Sequence, residues 1–356
     1  MTEQRGIHTF TEITSQPELW DKAVDAFQRQ SGAFSALWEA GNFDQLLLTG
    51  CGSTYYLALA GAALFQRLTG ISARAYPASE IALLPDLALL PKARPLLIAV
   101  SRSGKTTETL EAVRVFRERT GQPVVSVTCA SASALSAQSD LAIAIDEAQE
   151  QSLAQTRSFA CMLIVVEALA ALAGRADSAA VAKLTPIVTR ALASYHDLAR
   201  RLGEDKQIER FFFLGSGPLY GIACEGMLKM KEMSLAYSEA FHVLEFRHGP
   251  MSMVNAQTLI VGLISDEAHP QEIAVLRQMH QRGAQVLALA EQDYGSDLAG
   301  WAHFVRLDTG LPGWARPVTY LLVLQLMAYY RALLRDQDPD RPTNLDFVIS
   351  LDKSMT

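Results

Sequence analysis

Short, largely apolar runs alternate with longer amphipathic stretches along most of this 356-residue chain, and no other sequence feature constrains its fold as strongly. The runs Gln45–Thr49, Pro95–Val100 and Val124–Thr128 are apolar at nearly every position, which is typical of strands buried on both faces. Helical patterns such as Thr107–Arg119 separate these runs. This order predicts an α/β fold in which helices cover both faces of a parallel sheet.

The same order of elements occurs twice along the chain. A glycine turn, Gly50–Thr54, follows the first predicted strand, and a second one, Gly215–Pro218, follows Phe211–Leu214. The two turns begin 165 positions apart (215 − 50), which indicates two copies of one doubly wound unit. The predicted organisation is a helical leader, a first domain, a linking helix, a second domain and a tail: 1–42, 43–175, 176–207, 208–335 and 336–356.

The remaining elements are predicted from the same two patterns. Further strands are expected at Ala73–Tyr76, Leu141–Ile145, Leu259–Ile264, Gln285–Ala290 and Phe304–Leu307. Further helices are expected at Glu18–Ala40, Thr156–Ala173, Val181–Leu202, Leu219–Leu235 and Val318–Leu334.

Composition argues against several classes of function. Lys and Arg total 31 against 38 Asp and Glu, so the formal net charge is −7, and nucleic-acid binding is not expected without a basic surface. Apolar stretches such as Leu321–Met327 are shorter than the roughly 20 residues that cross a bilayer, and the polar first residues do not resemble a secretory signal. The four cysteines are scattered and form no C-x-x-C pair, which argues against a metal site. We therefore expect a cytoplasmic protein.

Hydroxyl side chains are concentrated in two turns of the first half. Ser53 and Thr54 belong to the glycine turn, and Ser101–Thr106 directly follows another predicted strand. Backbone amides, hydroxyls and helix starts at one sheet edge suit a phosphate monoester, although a serine that only caps a helix is the alternative. The corresponding turn of the second half, Ser265–Glu267, carries two carboxylates that would repel a phosphate, so the anion is expected only in the first half.

The second half carries a set of titratable residues on one predicted helix. Glu225, Lys229 and Glu232 are spaced i, i+4 and i+7, which places them on one helical face. Apolar residues between them indicate that this face is partly buried, and a glutamate beside a lysine there can carry a proton. His248, before Gly249, can open a sugar ring by proton transfer. A solvated face with ordinary ion pairs and a structural histidine are the alternatives.

These motifs together resemble the sugar isomerase (SIS) family, in its form with two SIS domains. The resemblance is carried by Thr49–Thr54, Ser101–Thr106 and the stretch from Glu225 to Pro250. It is nearest to the isomerase half of glucosamine-6-phosphate synthase and to stand-alone deaminases, deglycases and ketose/aldose isomerases. It implies two tandem domains, each a flavodoxin-like doubly wound parallel sheet with helices on both faces.

The resemblance also implies which residues bind the substrate, a sugar phosphate. The phosphate would be bound by hydroxyl residues of the two turns: Ser53, Thr54, Ser101, Ser103 and Thr106. Arg102 matches a position that touches the substrate through its backbone and is usually Gln in the family. Leu153–Thr156, which includes Ala154, resembles the loop that covers the sugar, and Glu225 matches a charged position around the site.

Catalytic roles are implied in the same way. Glu232 matches the glutamate that moves a proton between carbon 1 and carbon 2, and Lys229 matches its lysine partner. His248 matches the ring-opening histidine, which in the family comes from the second subunit of a homodimer. The family chemistry needs no metal or organic cofactor.

Two departures from the synthase pattern bear on the reaction. Only about 40 residues precede the first predicted strand, and Met1 is not followed by Cys, so no glutaminase activity is expected. Phe347, three positions after Asn344, stands where the synthase tail has an imine-forming lysine, and Lys353 would need a register shift to replace it. An amino-sugar-phosphate deaminase or a deglycase is therefore expected. A plain aldose/ketose isomerase and a non-catalytic sugar-phosphate regulator are the alternatives.

Overall fold

A computed structural model describes residues 5–345, which form two compact units. The amino-terminal unit comprises Gln16–Glu150 and Arg157–Ala182. The carboxyl-terminal unit comprises residues 5–15, Gln151–Thr156 and Lys183–Leu345. The leader is thus divided between the two units. The tail positions 347 and 353, on which the lysine comparison depends, lie outside the described residues.

The strands and helices of residues 5–345 are numbered in chain order. The strands are β1 (Gln45–Gly50), β2 (Ser72–Pro77), β3 (Pro95–Ser101), β4 (Val124–Thr128), β5 (Leu141–Ala144), β6 (Arg210–Gly215), β7 (Tyr237–His242), β8 (Thr258–Leu263), β9 (Gln285–Ala290) and β10 (His303–Arg306). The helices are α1 (Ile7–Thr14), α2 (Gln16–Gly41), α3 (Ser53–Thr69), α4 (Ala78–Leu83), α5 (Pro85–Ala88), α6 (Thr107–Thr120), α7 (Ala134–Ala137), α8 (Arg157–Ala173), α9 (Leu184–Gly203), α10 (Pro218–Ser234), α11 (His269–His280), α12 (Gly295–Leu298) and α13 (Leu321–Leu334).

The amino-terminal unit is built on a five-stranded parallel sheet in the order β2-β1-β3-β4-β5. On one face, apolar side chains of β1, β3 and β4 pack against α4 and α6, with Phe116 and Val113 fully buried. On the other face α3 packs on β1 and on α8, and α2 packs on α8. Burying both faces explains why its central strands are apolar at consecutive positions.

The carboxyl-terminal unit repeats this architecture around a parallel sheet in the order β10-β9-β8-β6-β7. Counted within each unit, both sheets have the strand order 2-1-3-4-5, which is the flavodoxin-like order. One face packs against α11 through residues such as Leu276 and Met279, whereas α10 and α13 pack together on the other side. The predicted pair of doubly wound α/β domains is confirmed.

Strand β7 and helix α11 were not predicted from the sequence. β7 lies at the edge of its sheet and pairs only with β6, so several of its side chains remain partly or fully exposed. An edge strand with Glu239 and His242 has no continuous apolar run, and the pattern that identifies buried strands is therefore absent. The second sheet consequently has one strand more than the sequence pattern indicated.

One segment of the described residues, Pro317–Leu334, is long and apolar enough to cross a membrane. It consists of a short 3₁₀ turn, Pro317–Tyr320, followed by α13. Because 89% of the segment is buried inside the protein, it is a core helix of the carboxyl-terminal unit.

Candidate active site

The two hydroxyl-bearing turns lie side by side at one edge of the first sheet. β1 and β3 are neighbouring parallel strands, so the turns that follow Gly50 and Ser101 both leave the carboxyl edge of the sheet. The strand order reverses between these two strands, and such a switch point is where open α/β sheets bind their ligands.

Two glycines give the turns after β1 and β6 the same backbone conformation. Gly52 has φ 56° and ψ −123°, and Gly217 has φ 55° and ψ −130°. This region is accessible almost only to glycine, because a β-carbon would clash with the backbone. The prediction that the glycine turn occurs once in each copy is confirmed in its geometry.

Three hydroxyls surround the turn between β3 and α6. Ser101 Oγ accepts the Gly104 N–H at 3.1 Å and lies 3.3 Å from Thr106 Oγ1, while Ser103 Oγ accepts the Lys105 N–H at 3.2 Å. Gly104 has φ 59°, and a β-carbon there would overlap the side chain of Ser133. Thr106, the residue before α6, makes no capping hydrogen bond with its side chain, whereas Ser101 and Ser103 accept backbone N–H groups of the turn itself. Phosphate binding by these hydroxyls remains a prediction.

Thr54 closes the first turn with its own hydroxyl. Its Oγ1 accepts the Cys51 N–H at 2.9 Å and donates to the Cys51 carbonyl at 3.0 Å, whereas Ser53 is the buried first residue of α3. Burial raises the pKa of the Cys51 thiol to about 11, so this thiol stays neutral at pH 7. Phosphate binding by Ser53 and Thr54 remains a prediction.

The Arg102 side chain is committed to a buried ion pair. Its Nη1 lies 3.3 Å from Glu150 Oε2, and the two side chains are 6% and 0% exposed. Glu150 also accepts the Ser158 N–H at 3.2 Å and the Ser158 hydroxyl. This ion pair connects the hydroxyl turn to Glu150 and Ser158, which lie on either side of Gln151–Thr156 in the sequence. The sequence analysis did not identify Glu150.

Glu150→Gln is expected to lower the free energy of unfolding by about 3–5 kcal/mol, because it removes the carboxylate that is ion-paired with the buried Arg102 guanidinium. Urea denaturation measures the change. In the double variant with Arg102→Gln, part of the loss should be recovered. Glu118→Gln, which breaks the exposed Arg114–Glu118 pair, serves as the control and should lower the free energy of unfolding far less than Glu150→Gln does, because water screens the pair. Equal losses for the two single variants would contradict this role for the buried pair.

Helix α10 brings the three predicted acid–base residues together. Lys229 Nζ lies 2.5 Å from Glu232 Oε2 and 3.4 Å from Glu225 Oε1. The Glu225 and Lys229 side chains are 0% and 1% exposed, whereas that of Glu232 is 17% exposed. The alternative of a solvated helix face is therefore wrong. A buried ammonium holds a carboxylate that solvent or a ligand can still reach.

Close packing fixes the position of α10. A β-carbon at Gly226 would lie 2.9 Å from both Phe213 on β6 and Leu324 on α13, so the helix approaches both neighbours at glycine distance. At the start of β7, Ser238 donates its hydroxyl to the Met227 carbonyl at 2.9 Å. Glu232 lies in the last turn of α10. At a rise of 1.5 Å per residue, it is about 20 Å along the helix from the glycine turn that precedes α10.

The carboxyl edge of the second sheet is occupied by the protein's own charged groups. Glu272 accepts the Ser265 N–H at 2.7 Å and lies 3.0 Å from the Ser265 hydroxyl, so it takes the donors that an anion would use. Arg316 forms an ion pair with Asp266 and lies 3.8 Å from Glu291. These contacts support the expectation that only the first half binds a phosphate.

His248 and Ala154 belong to other segments of the carboxyl-terminal unit than α10. His248 is exposed and follows the 3₁₀ turn Glu245–Arg247; its side chain makes no hydrogen bond or ion pair with any described residue. Its role across a subunit interface remains a prediction. Ala154 is buried in Gln151–Thr156, which belongs to the same unit as α10. Between residues 5 and 345 no cluster of His, Cys, Asp and Glu fits a metal ion.

Comparison with known proteins identifies the architecture. The family model described as "SIS domain" matches residues 42–172 and 206–335. The glutamine–fructose-6-phosphate aminotransferase (isomerizing) of Gluconobacter oxydans is 29% identical over 317 residues, which are 85% of this chain and 51% of that protein. The Thermococcus kodakarensis aminotransferase of the same name is 29% identical over 97% of this chain and 58% of its own length. The chain thus spans little more than half the length of these curated relatives.

Solved structures show the same arrangement. Glucosamine-6-phosphate deaminase from Thermotoga maritima superimposes with a TM-score of 0.73 at 27% identity, covering 93% of this chain and 100% of that one. Tagatose-6-phosphate ketose/aldose isomerase from Escherichia coli superimposes with a TM-score of 0.86 at 24% identity, covering 98% and 97%, which shows a shared fold. With family-model matches in both halves, the chain belongs to the SIS family as a protein with two SIS domains, homologous to the isomerase domain of the aminotransferases and to phosphosugar isomerases.

Proposed function

We propose that this protein isomerises an amino- or N-substituted hexose 6-phosphate and releases the amine, as a glucosamine-6-phosphate deaminase or a fructosamine-6-phosphate deglycase does. The observation that supports this most strongly is the Glu225–Lys229–Glu232 arrangement on α10. A partly exposed carboxylate beside a buried ammonium suits a group that takes up and returns a proton. A protein that only binds its ligand would not need such a proton-accepting group.

In the deaminase direction, the reaction balances with the residues at hand. His248 opens the ring of the sugar by moving a proton from the hydroxyl of carbon 1 to the ring oxygen. Glu232 then takes the proton from carbon 2, which bears the amine, and returns it to carbon 1, while the carbonyl oxygen of carbon 1 gains a proton and the amine nitrogen loses one. The resulting imine at carbon 2 reacts with water to give a ketose phosphate and ammonia.

In the deglycase direction, the amine starts on carbon 1 and the carbonyl on carbon 2. Glu232 takes a proton from carbon 1 and returns it to carbon 2, while the amine nitrogen loses a proton and the carbonyl oxygen of carbon 2 gains one. The carbonyl of carbon 2 thereby becomes a hydroxyl, and the amine on carbon 1 becomes an imine. Water then releases the free amine and leaves an aldose phosphate. In both directions Lys229 holds the Glu232 carboxylate in place, and the phosphate is bound by the hydroxyls of Ser101, Ser103 and Thr106, with Ser53 and Thr54 at the neighbouring turn.

Two facts favour an amine-bearing substrate. Phe347 cannot form an imine with a plain ketose, whereas a substrate that already carries an amine needs no lysine for that step. The deaminase from Thermotoga maritima is also the most similar of the structures compared above by sequence identity, although the tagatose-6-phosphate isomerase keeps a plain isomerase as the second candidate. We further propose a cytoplasmic homodimer, with His248 serving the partner subunit; the four free cysteines suit a reducing compartment.

A substrate panel tests the proposal. Purified protein is incubated with glucosamine 6-phosphate, an N-substituted fructosamine 6-phosphate, fructose 6-phosphate and tagatose 6-phosphate, and both released amine and isomerised sugar are measured. Amine release from either of the first two is the expected result. Isomerisation of the plain sugars without amine release would favour the plain isomerase. Binding of the sugars without any conversion would favour a regulator.

Ser101→Ala with Ser103→Ala is expected to raise KM for the sugar phosphate at least about tenfold and to lower kcat by less than about threefold. Two hydroxyl partners of the phosphate are lost in the ground state and the transition state alike, so mainly uniform binding is removed. Ser216→Ala, at the glycine turn of the carboxyl-terminal unit, is the control and should change neither constant. Equal losses in KM and kcat for the double variant would show that the turn does not mainly anchor the phosphate.

A further inference from the structure

The loop Gln151–Thr156 is held by elements that are distant from it in sequence. It belongs to the carboxyl-terminal unit, although Glu150 before it and Arg157 after it belong to the amino-terminal one. Ser152 and Thr156 are fully buried and Ala154 is 1% exposed. An irregular loop that is buried to this degree needs hydrogen-bond partners for its backbone.

Glu12, on the short helix α1, supplies several of these partners with one carboxylate. Its Oε1 accepts the Gln151 N–H at 2.6 Å and the Ser152 N–H at 3.3 Å, and its Oε2 accepts the Ser152 hydroxyl. The Ser152 hydroxyl also lies 3.1 Å from the Ala154 carbonyl. Glu12 itself is only 2% exposed, so the loop donors replace the water that a carboxylate would otherwise bind.

Asp340 ties α1 to the same loop from the other side. Its carboxylate accepts the backbone N–H groups of His8 and Thr9 at 3.1 and 2.7 Å, at the start of α1. Its backbone carbonyl accepts the Leu153 N–H at 3.1 Å. Helix α1 is thereby fixed at its first turn by the residue that also holds the middle of the loop.

Gln325 connects the end of the loop to the helix that packs against α10. Its Nε2 donates to the Thr156 carbonyl at 3.1 Å, and its side chain is fully buried. The preceding residue, Leu324, lies against Gly226, the neighbour of Glu225. The loop and the acid–base helix are therefore both positioned against α13.

We propose that Glu12 is a positioning residue for sugar recognition: its carboxylate holds Gln151–Thr156 in the conformation in which the loop covers the sugar. This rests on the proposed function and on the family resemblance, which implies that Leu153–Thr156 covers the sugar. The carboxylate touches no reacting atom. Its two oxygens accept hydrogen bonds from three donors: the N–H groups of Gln151 and Ser152 and the Ser152 hydroxyl. These bonds fix the backbone at both residues. Because the Ser152 hydroxyl also bonds to the Ala154 carbonyl, they fix that carbonyl as well.

Glu12→Gln tests the proposal because it changes one acceptor oxygen into a donor of nearly the same size. One loop donor then faces an amide N–H, and the loop loses its fixed conformation. We expect KM for the sugar phosphate to rise about tenfold, the loss expected for a charge-assisted hydrogen bond. The inhibition constant of inorganic phosphate should stay within twofold, because phosphate alone needs the hydroxyl turn and not the loop.

Two further variants complete the experiment. Glu12→Asp keeps the charge and should recover part of the affinity for the sugar, whereas Glu18→Gln, at an exposed position of α2, should behave as the unaltered protein. A parallel rise in KM and in the inhibition constant of phosphate would indicate general destabilisation and would overturn the positioning role. No change in either constant would overturn it as well.

Amide hydrogen exchange separates this proposal from the proposed function. Exchange at Gln151 and Ser152 should be at least about tenfold faster in Glu12→Gln without any sugar present. Unchanged exchange would show that the Glu12 carboxylate does not hold the loop. If no sugar of the panel is converted, the proposed reaction fails. The dissociation constants of glucosamine 6-phosphate and inorganic phosphate, measured by calorimetry, then still decide the role of Glu12, since only the first should rise.

Discussion

Glu232→Gln is expected to lower kcat by about 10²- to 10⁴-fold while the dissociation constant of the sugar phosphate changes by less than about threefold. The amide cannot accept a proton from carbon, and a positioned general base contributes about 10² to 10⁴-fold to such a step. Gln has nearly the same size, and Glu232 is the most exposed member of the α10 arrangement, so the fold should tolerate the change. Single-turnover kinetics and calorimetry measure the two quantities.

Lys231→Gln is the matched control for this variant, because Lys231 lies on the exposed side of the same helix. It should retain nearly full turnover. Normal turnover of glucosamine 6-phosphate or a fructosamine 6-phosphate by Glu232→Gln would show that another group moves the proton.

The same variant tests the predicted homodimer. If His248 serves the partner subunit, a mixed dimer of a Glu232→Gln chain and a His248→Asn chain contains one site with both residues intact. Mixing the two inactive proteins after mild dissociation should then restore activity. Failure to restore activity in proven mixed dimers would place both residues in one subunit's site.

Lys229→Met is the second change with a large expected effect, on stability and activity together. It removes the ammonium that lies 3.4 Å from Glu225, whose side chain is 0% exposed. Removing one partner of a buried ion pair typically costs about 3–5 kcal/mol, and we expect a loss of that size in the free energy of unfolding. We also expect kcat to fall at least about 10²-fold, because Glu232 loses the partner that positions it.

Adding Glu225→Leu separates the two effects. Replacing both members of a buried ion pair by apolar residues of similar volume is often neutral for stability. The double variant Glu225→Leu/Lys229→Met should therefore recover most of the unfolding free energy and none of the turnover. Recovery of turnover would mean that Lys229 acts only through the fold.

The buried strands and both glycine turns were accessible to sequence analysis because they depend on local rules, whereas the flavodoxin-like strand order was implied by the family resemblance. Buried parallel strands require continuous apolar runs, and the positive φ of Gly52 and Gly217 requires glycine. The grouping of Glu225, Lys229 and Glu232 was predictable for the same reason, since helical spacing alone places them on one face. Apolar neighbours also predicted partial burial of this face, whereas the complete burial of Glu225 and Lys229 depends on packing against distant elements such as α13 and β6.

Contacts between residues distant in sequence account for the rest. Glu12 lies 139 residues from Gln151, and Asp340 lies 331 residues from Thr9. No local sequence pattern predicts contacts over such separations. For Arg102 the family resemblance implied a contact with the substrate through the backbone, which remains a prediction. The ion pair of its side chain with the buried Glu150, 48 residues away, could not be predicted from a local pattern.

Proton transfer between carbon 1 and carbon 2 by Glu232 is the central step of the proposed reaction. Proton NMR in D₂O, with glucosamine 6-phosphate and an N-substituted fructosamine 6-phosphate as substrates, follows the hydrogens on these two carbons directly. We expect that they are transferred or exchanged for deuterium as the amine is released, and that Glu232→Gln stops both. Sugar phosphates that bind while these hydrogens stay in place and no amine appears would contradict the proposed reaction.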